Sequence, residues 1–197
     1  LTNNPIEVVK GTAVDLPIPA HAEIVVEGEL ISPEVETRME GPFGEWWGYY
    51  GGKTCPHPII RVKAVCHRND PIIMGCPPML PFDNDYARYI IDAAELWNDL
   101  DKHFPGIKGV WLCPEARGTP MCIVSVAQQF PGHARHVATA LASAVVLHRW
   151  VIVVDDDIDP SNTAEVLWAL GTRCEPATSI DIMDGFRTIA SNPRVPP

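Results

Sequence analysis

The amino-acid sequence predicts an α+β fold, with a β-rich first part followed by an alternating α/β second part. Runs of β-branched residues punctuated by glycine and proline fill residues 1–80. A proline-rich stretch, Cys76–Pro81, comes next. Beyond it, helical patterns alternate with short apolar runs, which is typical of an α/β layer. We therefore expect two domains, at residues 1–80 and 84–197.

The first part is predicted to contain strands. The run 23–31 is rich in β-branched residues, and its central Gly28 indicates a bulge or a bend. The run 59–68 alternates apolar and polar residues, which favours a half-buried strand. Shorter strands are expected at 7–10 and 72–75. Such a set suits a small barrel or sandwich.

The second part is predicted to alternate helices and strands. Helices are expected from a cap at Asp83 or Asn84 to about 103, over 131–148, and from a cap at Thr163 to about 170. Strands are expected at 107–113, 121–127, 150–154 and 179–183. This alternation predicts some parallel strand pairing.

Composition limits the kinds of partner. The chain has 197 residues and a net charge of −10, and no basic cluster offers a footprint for nucleic acid or an anionic membrane. No apolar stretch reaches the roughly 20 residues that a membrane span needs. Its six cysteines form no C-x-x-C pair, so we expect reduced thiols in a cytoplasmic protein. The chain opens on Leu1 rather than methionine, and we expect a piece of a longer protein.

Two carboxylates, Glu40 and Glu45, stand five residues apart on a loop that glycine and proline keep out of regular structure. The aromatic segment 46–50 follows at once. Such a pair is compatible with a general acid and its electrostatic partner, with burial separating their pKa values. It is also compatible with a surface turn that carries two solvated acids, which these six residues by themselves favour because most charged loop residues are exposed. These residues alone leave both interpretations open.

Two other groups of polar residues invite a metal interpretation. The acids at 155–157 and Asp159 follow a hydrophobic strand, where carboxylates suit a hard cation; alternatively, Asp159 or Asn162 caps the next helix. His133 and His136 share one helix face, but the sequence has no H-E-x-x-H motif, and such pairs are more often structural.

Six segments, in order along the chain, resemble the UbiD family of reversible decarboxylases, which use prenylated FMN. They are A-E-I-V-V-E-G at 22–28, E-G-P-F-G-E with G-Y-Y at 40–50, V-C-H-R-N-D-P-I at 65–72, Q-Q-F-P-G-H-A-R at 128–135, V-V-D-D-D-I-D at 153–159 and L-W-A-L-G-T-R at 167–173. Each segment alone is weak, but their shared order is specific.

The resemblance implies a fold and an assembly. The chain would supply the second part of a split β-barrel of the flavin-binding type and most of an α/β domain that forms homo-oligomers. The family's cofactor is prenylated FMN with a divalent metal, Mn or Mg, and K is a further candidate. The residues that hold the metal and the flavin phosphate would precede Leu1, so we assign no cofactor-binding or metal residue here. We expect this chain alone to bind no cofactor and to be inactive.

The resemblance also implies a catalytic site. Glu40 and Glu45 match the two acids of the family's Glu-Arg-Glu unit, whose arginine would also lie upstream. Glu45 would be the proton donor, and Glu40 would orient the arginine. The substrate would be an aromatic, heteroaromatic or α,β-unsaturated carboxylic acid. Two departures stand out: Trp46 and Trp47 replace smaller or polar residues, and Ala142 stands where some members have a lysine that approaches the cofactor.

Two alternatives come from other functional classes. One is a non-catalytic module that mediates oligomer assembly. The other is an ordinary FMN-binding split-barrel oxidoreductase. Paired acids argue against the oxidoreductase, because hydride transfer does not require them.

We predict that the isolated 197-residue chain retains no flavin. It contains neither G-x-G-x-x-G nor a Walker motif to cradle a phosphate. Visible absorption and the mass of any bound cofactor, measured on the purified chain, check this. A yellow preparation with stoichiometric prenylated FMN would contradict it.

Overall fold

A computed structural model describes residues 4–73, 75, 86–144, 148–186, 189 and 192. They form mixed α+β structure, which confirms the general fold class. The chain divides into two compact units. The β unit comprises Leu1–Phe43 and Gly52–Cys76, and the α/β unit comprises Gly44–Gly51 and Pro77–Pro197.

The β unit consists of paired antiparallel strands. The pairs are β1 (Val8–Lys10) with β2 (Pro17–Pro19), β3 (Ile24–Leu30) with β8 (Ile60–His67), and β4 (Thr37–Glu40) with β7 (Cys55–Pro58). The β3–β8 register shifts between Glu27 and Gly28, which confirms the bulge expected at this glycine. A Cβ on Gly28 would lie 2.7 Å from the Arg61 carbonyl oxygen, so only glycine fits there. The described strands do not close into a barrel.

The strand expected at 72–75 is wrong for the residues that the structure describes. Ile72, Ile73 and Gly75 form no strand, and Met74 lies outside the described residues. The Ile72 N–H donates to the Glu23 carboxylate at 3.0 Å. A side chain thus takes the hydrogen bond that a neighbouring strand would have taken.

A buried carboxylate, Glu27, connects β3 to the loop between β1 and β2. It accepts hydrogen bonds from the backbone N–H groups of Thr12, Ala13 and Val14, each at 2.9 Å, and from the Thr12 hydroxyl at 2.6 Å. The Thr12 hydroxyl and these backbone donors hold the pKa of Glu27 at about 2, against the opposing effect of desolvation. Glu27 therefore fixes the position of this loop as a charged acceptor.

The α/β unit is built on a three-stranded sheet in the order β11-β10-β9. The central strand is antiparallel to β9 and parallel to β11, which confirms the expected parallel pairing. The elements are α1 (Tyr86–Asp101), β9 (Ile107–Leu112), β10 (Met121–Val126), α2 (His133–Ala144), β11 (Trp150–Asp155), α3 (Thr163–Arg173) and α4 (Pro176–Ser179). None of the helices in the described ranges is long and apolar enough to cross a bilayer.

Both faces of β10 are buried. On one face Cys122, Val124 and Val126 pack in a cluster with residues of α1 and α2, including the fully buried Leu141. On the other face Ile123 packs in a cluster with residues of β11 and α3. Because successive side chains of a strand point to opposite faces, one continuous apolar run requires cover on both sides.

The ends of two predicted elements need correction. The cap of α3 is Asn162, whose side chain accepts from the Ala164 and Glu165 N–H groups, and Thr163 is the first helical residue. Asp83 and Asn84, the predicted caps of α1, lie outside the described residues. The helix expected to reach 148 is helical to Ala144, the last residue described before a gap, and His148 is not helical.

The strand expected at 179–183 is wrong. Ser179 ends the short helix α4, and 180–183 pair with no strand of the described chain. Arg135 of α2 holds this segment instead: its guanidinium donates to the Thr178 carbonyl and to the Asp181 carboxylate, each at 2.7 Å. The segment is therefore held through the Asp181 side chain and the preceding helix rather than by strand pairing.

We predict that Glu27→Gln lowers the urea midpoint of unfolding near neutral pH, since the amide NH₂ would face backbone donors. The folded pKa lies below the ordinary value of 4.5, so the carboxylate stabilises the fold above about pH 4.5. That stability is lost as pH falls towards about 2. Urea titrations over this range should therefore show a smaller acid-induced loss in the variant than in the wild type.

Glu29→Gln is the matched control, because Glu29 is exposed on the same strand and its ion pair in the described structure is with Lys63, at 3.5 Å. It should leave the midpoint nearly unchanged. Equal effects of the two substitutions would contradict the role given to Glu27.

Candidate functional site

Glu40 is the last residue of β4 in the β unit, and it pairs in register with Cys55 of β7. Its carboxylate is half-exposed and lies 3.7 Å from His57 Nδ1. The backbone leaves the strand at Gly41, whose φ of +81° favours glycine. The Thr54 hydroxyl donates to the Gly41 carbonyl at 2.9 Å, which fixes the turn directly after the acid.

Glu45 opens a tight turn in the α/β unit, between the two-residue strands β5 (Phe43–Gly44) and β6 (Tyr50–Gly51). Its N–H donates to the Tyr49 carbonyl, and its carbonyl accepts from the Gly48 N–H, both at 2.9 Å. The backbone of this residue is therefore fixed. Its half-buried carboxylate has no hydrogen-bond partner among the described residues.

Two arginines hold this turn. Arg117 Nε donates to the Trp46 carbonyl, and the Arg149 guanidinium lies 4.5 Å from the centre of the Trp47 ring. The two tryptophan rings stack with centroids 4.1 Å apart, and Trp47 is buried. The tryptophans that depart from the family pattern thus secure the turn that carries Glu45.

Arg117 reaches the turn from the connection between β9 and β10. It follows a short 3₁₀ turn, Pro114–Ala116, and adopts a left-handed φ of 64°, which is uncommon for a residue other than glycine. The side chain is buried. The connection between two strands of the sheet therefore places the buried Arg117 guanidinium against the backbone of the Glu45 turn.

The two predicted acids belong to different compact units, Glu40 to the β unit and Glu45 to the α/β unit. Each is fixed locally by the backbone contacts of its own unit. Their catalytic roles stay predictions.

Two of the aspartates at the end of β11 pair with an arginine. Arg173, the last residue of α3, donates to both carboxylate oxygens of Asp157 at 2.7 Å and to Asp155 at 3.2 Å. These bonds lower the pKa of Asp157 and raise that of Arg173. The described residues contain no group of three or more His, Cys, Asp or Glu side chains that could hold a metal. The capping alternative is the one that the structure supports, through Asn162.

The histidine pair at the start of α2 is structural. His133 is fully buried, its Nδ1 accepts from the Gln129 N–H at 3.3 Å, and its ring lies 4.5 Å from that of Phe130. His136 is exposed and contacts Phe130 and Phe104 edge-on. The two imidazoles share no candidate metal.

Sequence reasoning missed two kinds of residue near the acids. Cys55 and His57 stand two apart on one strand, a spacing that places both side chains on one face and could have been noticed. Arg117 and Arg149 had no local signal, because their partners are distant in sequence.

Two family models cover almost the whole chain. The Rift-related domain of 3-octaprenyl-4-hydroxybenzoate carboxy-lyase matches residues 1–81. The C-terminal domain of the same enzyme matches residues 85–197.

Solved structures of decarboxylases are similar to the chain. Vanillic acid decarboxylase of Sedimentibacter hydroxybenzoicus, in its open form, has a TM-score of 0.84 and 30% identity over 97% of this chain and 41% of its own. The UbiD-class enzyme HmfF of Pelotomaculum thermopropionicum, an evolved dimeric form in complex with prFMN, has 0.76 and 32% over 89% and 40%. The apo 3,4-dihydroxybenzoic acid decarboxylase of Klebsiella pneumoniae has 0.77 and 28% over 93% and 39%.

The chain spans about 40% of the length of these structures. Within that span, the two family models and the fold agree along both units. The chain therefore belongs to the UbiD family.

Proposed function

We propose that the protein carrying this chain is a reversible, non-oxidative decarboxylase of aromatic, heteroaromatic or α,β-unsaturated carboxylic acids that uses prenylated FMN. The observation that carries the proposal is Glu45. By resemblance it matches the second acid of the family motif. It lies on a turn closed by two backbone hydrogen bonds, and its carboxylate forms no hydrogen bond with a described residue. The similar structures support the substrate class, since two of them are decarboxylases of vanillic and 3,4-dihydroxybenzoic acids.

Glu45 is the proposed proton donor. Loss of CO₂ leaves a carbon that must take up a proton, and a carboxylic acid held on a fixed backbone can deliver one. In the carboxylation direction the same carboxylate removes that proton. The turn hydrogen bonds and the Arg117 contact limit where the carboxyl group can reach, which supplies the positioning that proton transfer requires.

Glu40 is the proposed partner of an arginine from the upstream part of the protein. A carboxylate and a guanidinium form paired, directional hydrogen bonds, so Glu40 would hold that arginine towards the substrate carboxylate. In the described chain its nearest cation candidate is His57, at 3.7 Å.

The described residues do not fit a metal, since no suitable cluster of ligands occurs among them. We assign no contact with prenylated FMN to a residue of this chain. We further propose that the β unit is part of a split barrel completed by other segments of the protein, and that the protein is a cytoplasmic homo-oligomer.

We predict that Glu45→Gln, in the full-length protein with its cofactor, lowers kcat for decarboxylation by about 10²-fold or more. The amide keeps the shape of the side chain and removes the transferable proton. Stopped assays of CO₂ release check this. Wild-type turnover in a cofactor-loaded variant would overturn the assignment of Glu45.

The control is Asp156→Asn, at an exposed acid of the strand-end loop that is outside the proposed chemistry. It should leave turnover unchanged. Glu40→Gln should lower turnover through a misdirected arginine.

Arg117→Ala should lower kcat about tenfold, because the turn that carries Glu45 loses its hydrogen bond to the Trp46 carbonyl, and small displacements of a catalytic group are costly. KM should change less than kcat. Arg88→Ala is the control, since Arg88 is exposed on α1 and forms an ion pair with Asp92 on the same helix. Unchanged turnover of a folded Arg117→Ala protein would show that the contact does not position Glu45.

A further inference from the structure

A thiol, an imidazole and a carboxylate share one face of the β4–β7 pair. Cys55 and His57 are two residues apart on β7, so their side chains point to the same face. Glu40 lies directly opposite Cys55 in the antiparallel register. A thiol, an imidazole and a carboxylate thus lie close together within the β unit.

The contacts are ordered. Cys55 Sγ lies 3.1 Å from His57 Nε2, and His57 Nδ1 lies 3.7 Å from a Glu40 carboxylate oxygen. One imidazole nitrogen is within hydrogen-bond distance of the thiol, and the other faces the carboxylate at ion-pair distance, beyond that of a hydrogen bond. This is the arrangement of a nucleophile, its base and the group that orients the base. His57 is half-exposed and Cys55 is half-buried, so a small reagent can reach the sulfur.

The other thiols of the described chain lack this environment. Cys122 is fully buried, which raises its pKa to about 12, and Cys113 is buried beside the Glu115 carboxylate, which also raises its pKa. Cys66 contacts the Thr12 hydroxyl and the Glu27 carboxylate. Cys174 is half-buried, as Cys55 is, and it has no imidazole partner among the described residues. Cys174 is therefore the matched reference thiol.

We propose that Cys55 is a covalent modification site for soft carbon electrophiles of the α,β-unsaturated carbonyl class, with His57 as the base and Glu40 as the group that orients it. The thiol proton passes to His57 Nε2 as sulfur attacks the β-carbon. A sulfur–carbon bond forms, the carbon–carbon π bond breaks, and the α-carbon takes a proton from the imidazolium. No leaving group, oxidant or reductant is needed. This reactivity goes beyond decarboxylation, and it shares Glu40 with the proposed decarboxylase site.

The probe is N-ethylmaleimide, in limiting amount, on the native full-length protein. Peptide mapping by mass spectrometry gives the labelling rate of each thiol. Cys55 should react at least tenfold faster than Cys174, in keeping with the contribution of a positioned base. Equal rates at the two thiols would overturn the proposal.

Two variants test the relay. His57→Gln should slow Cys55 to about the rate of Cys174, and Glu40→Gln should slow it by a smaller factor; the rate at Cys174 should stay constant in both. An undiminished Cys55 rate in His57→Gln overturns the proposal. Cys174 and Cys66 rates that match the wild type show that each variant is folded, so a slow Cys55 then reports the lost base. Decarboxylase activity is not the readout, so a failed function assignment leaves this test intact.

Discussion

The two-faced burial of β10 is the constraint on which the α/β unit depends. Its alternate residues enter two separate clusters, one with α1 and α2 and one with α3, so helices must cover both sides of a three-stranded sheet. The connection from β9 to β10 is consequently anchored at both ends. That connection carries Arg117, and Arg117 holds the turn with Glu45. The position of the proposed proton donor thus rests on the packing of a strand that takes no part in the chemistry.

The sequence pattern predicted the strands that are formed by long apolar or alternating runs. The runs that became β3, β8, β9, β10 and β11 are apolar or alternating, and each found a partner strand. The pattern failed at 72–75 and 179–183, where the residues are equally strand-like. In the first run the Glu23 carboxylate accepts from the Ile72 N–H, and in the second Arg135 pairs with the Asp181 side chain. Whether an apolar run becomes a strand depends on a partner elsewhere in the chain, and short-range periodicity carries no information about that partner.

In the candidate site, too, local features could be predicted from the sequence and distant contacts could not. Glu40 and Glu45 could be selected from a six-residue motif, and the turn after Glu40 follows from its Gly41. What secures them could not be selected, because Arg117 and Arg149 lie far along the chain. The two-residue spacing of Cys55 and His57 was visible in the sequence, but the proximity of His57 to Glu40 was not. Its sequence neighbour Cys55 and its cross-strand neighbour Glu40 become one cluster only when the β4–β7 register is known.

The pairing of Arg173 with Asp155 and Asp157 gives the strand end a counter-ion that belongs to the chain itself. A bound metal would leave at low concentration or in the presence of a chelator, whereas a tethered guanidinium stays. One guanidinium thus offsets part of the negative charge that the aspartates bring to this corner. It also joins the last turn of α3 to the end of β11, so that the helix is fastened at one end by this ion pair and at the other by the Asn162 cap. Because its first N–H groups are capped and its last turn is paired, this helix is expected to fray less at its ends than a helix with free termini.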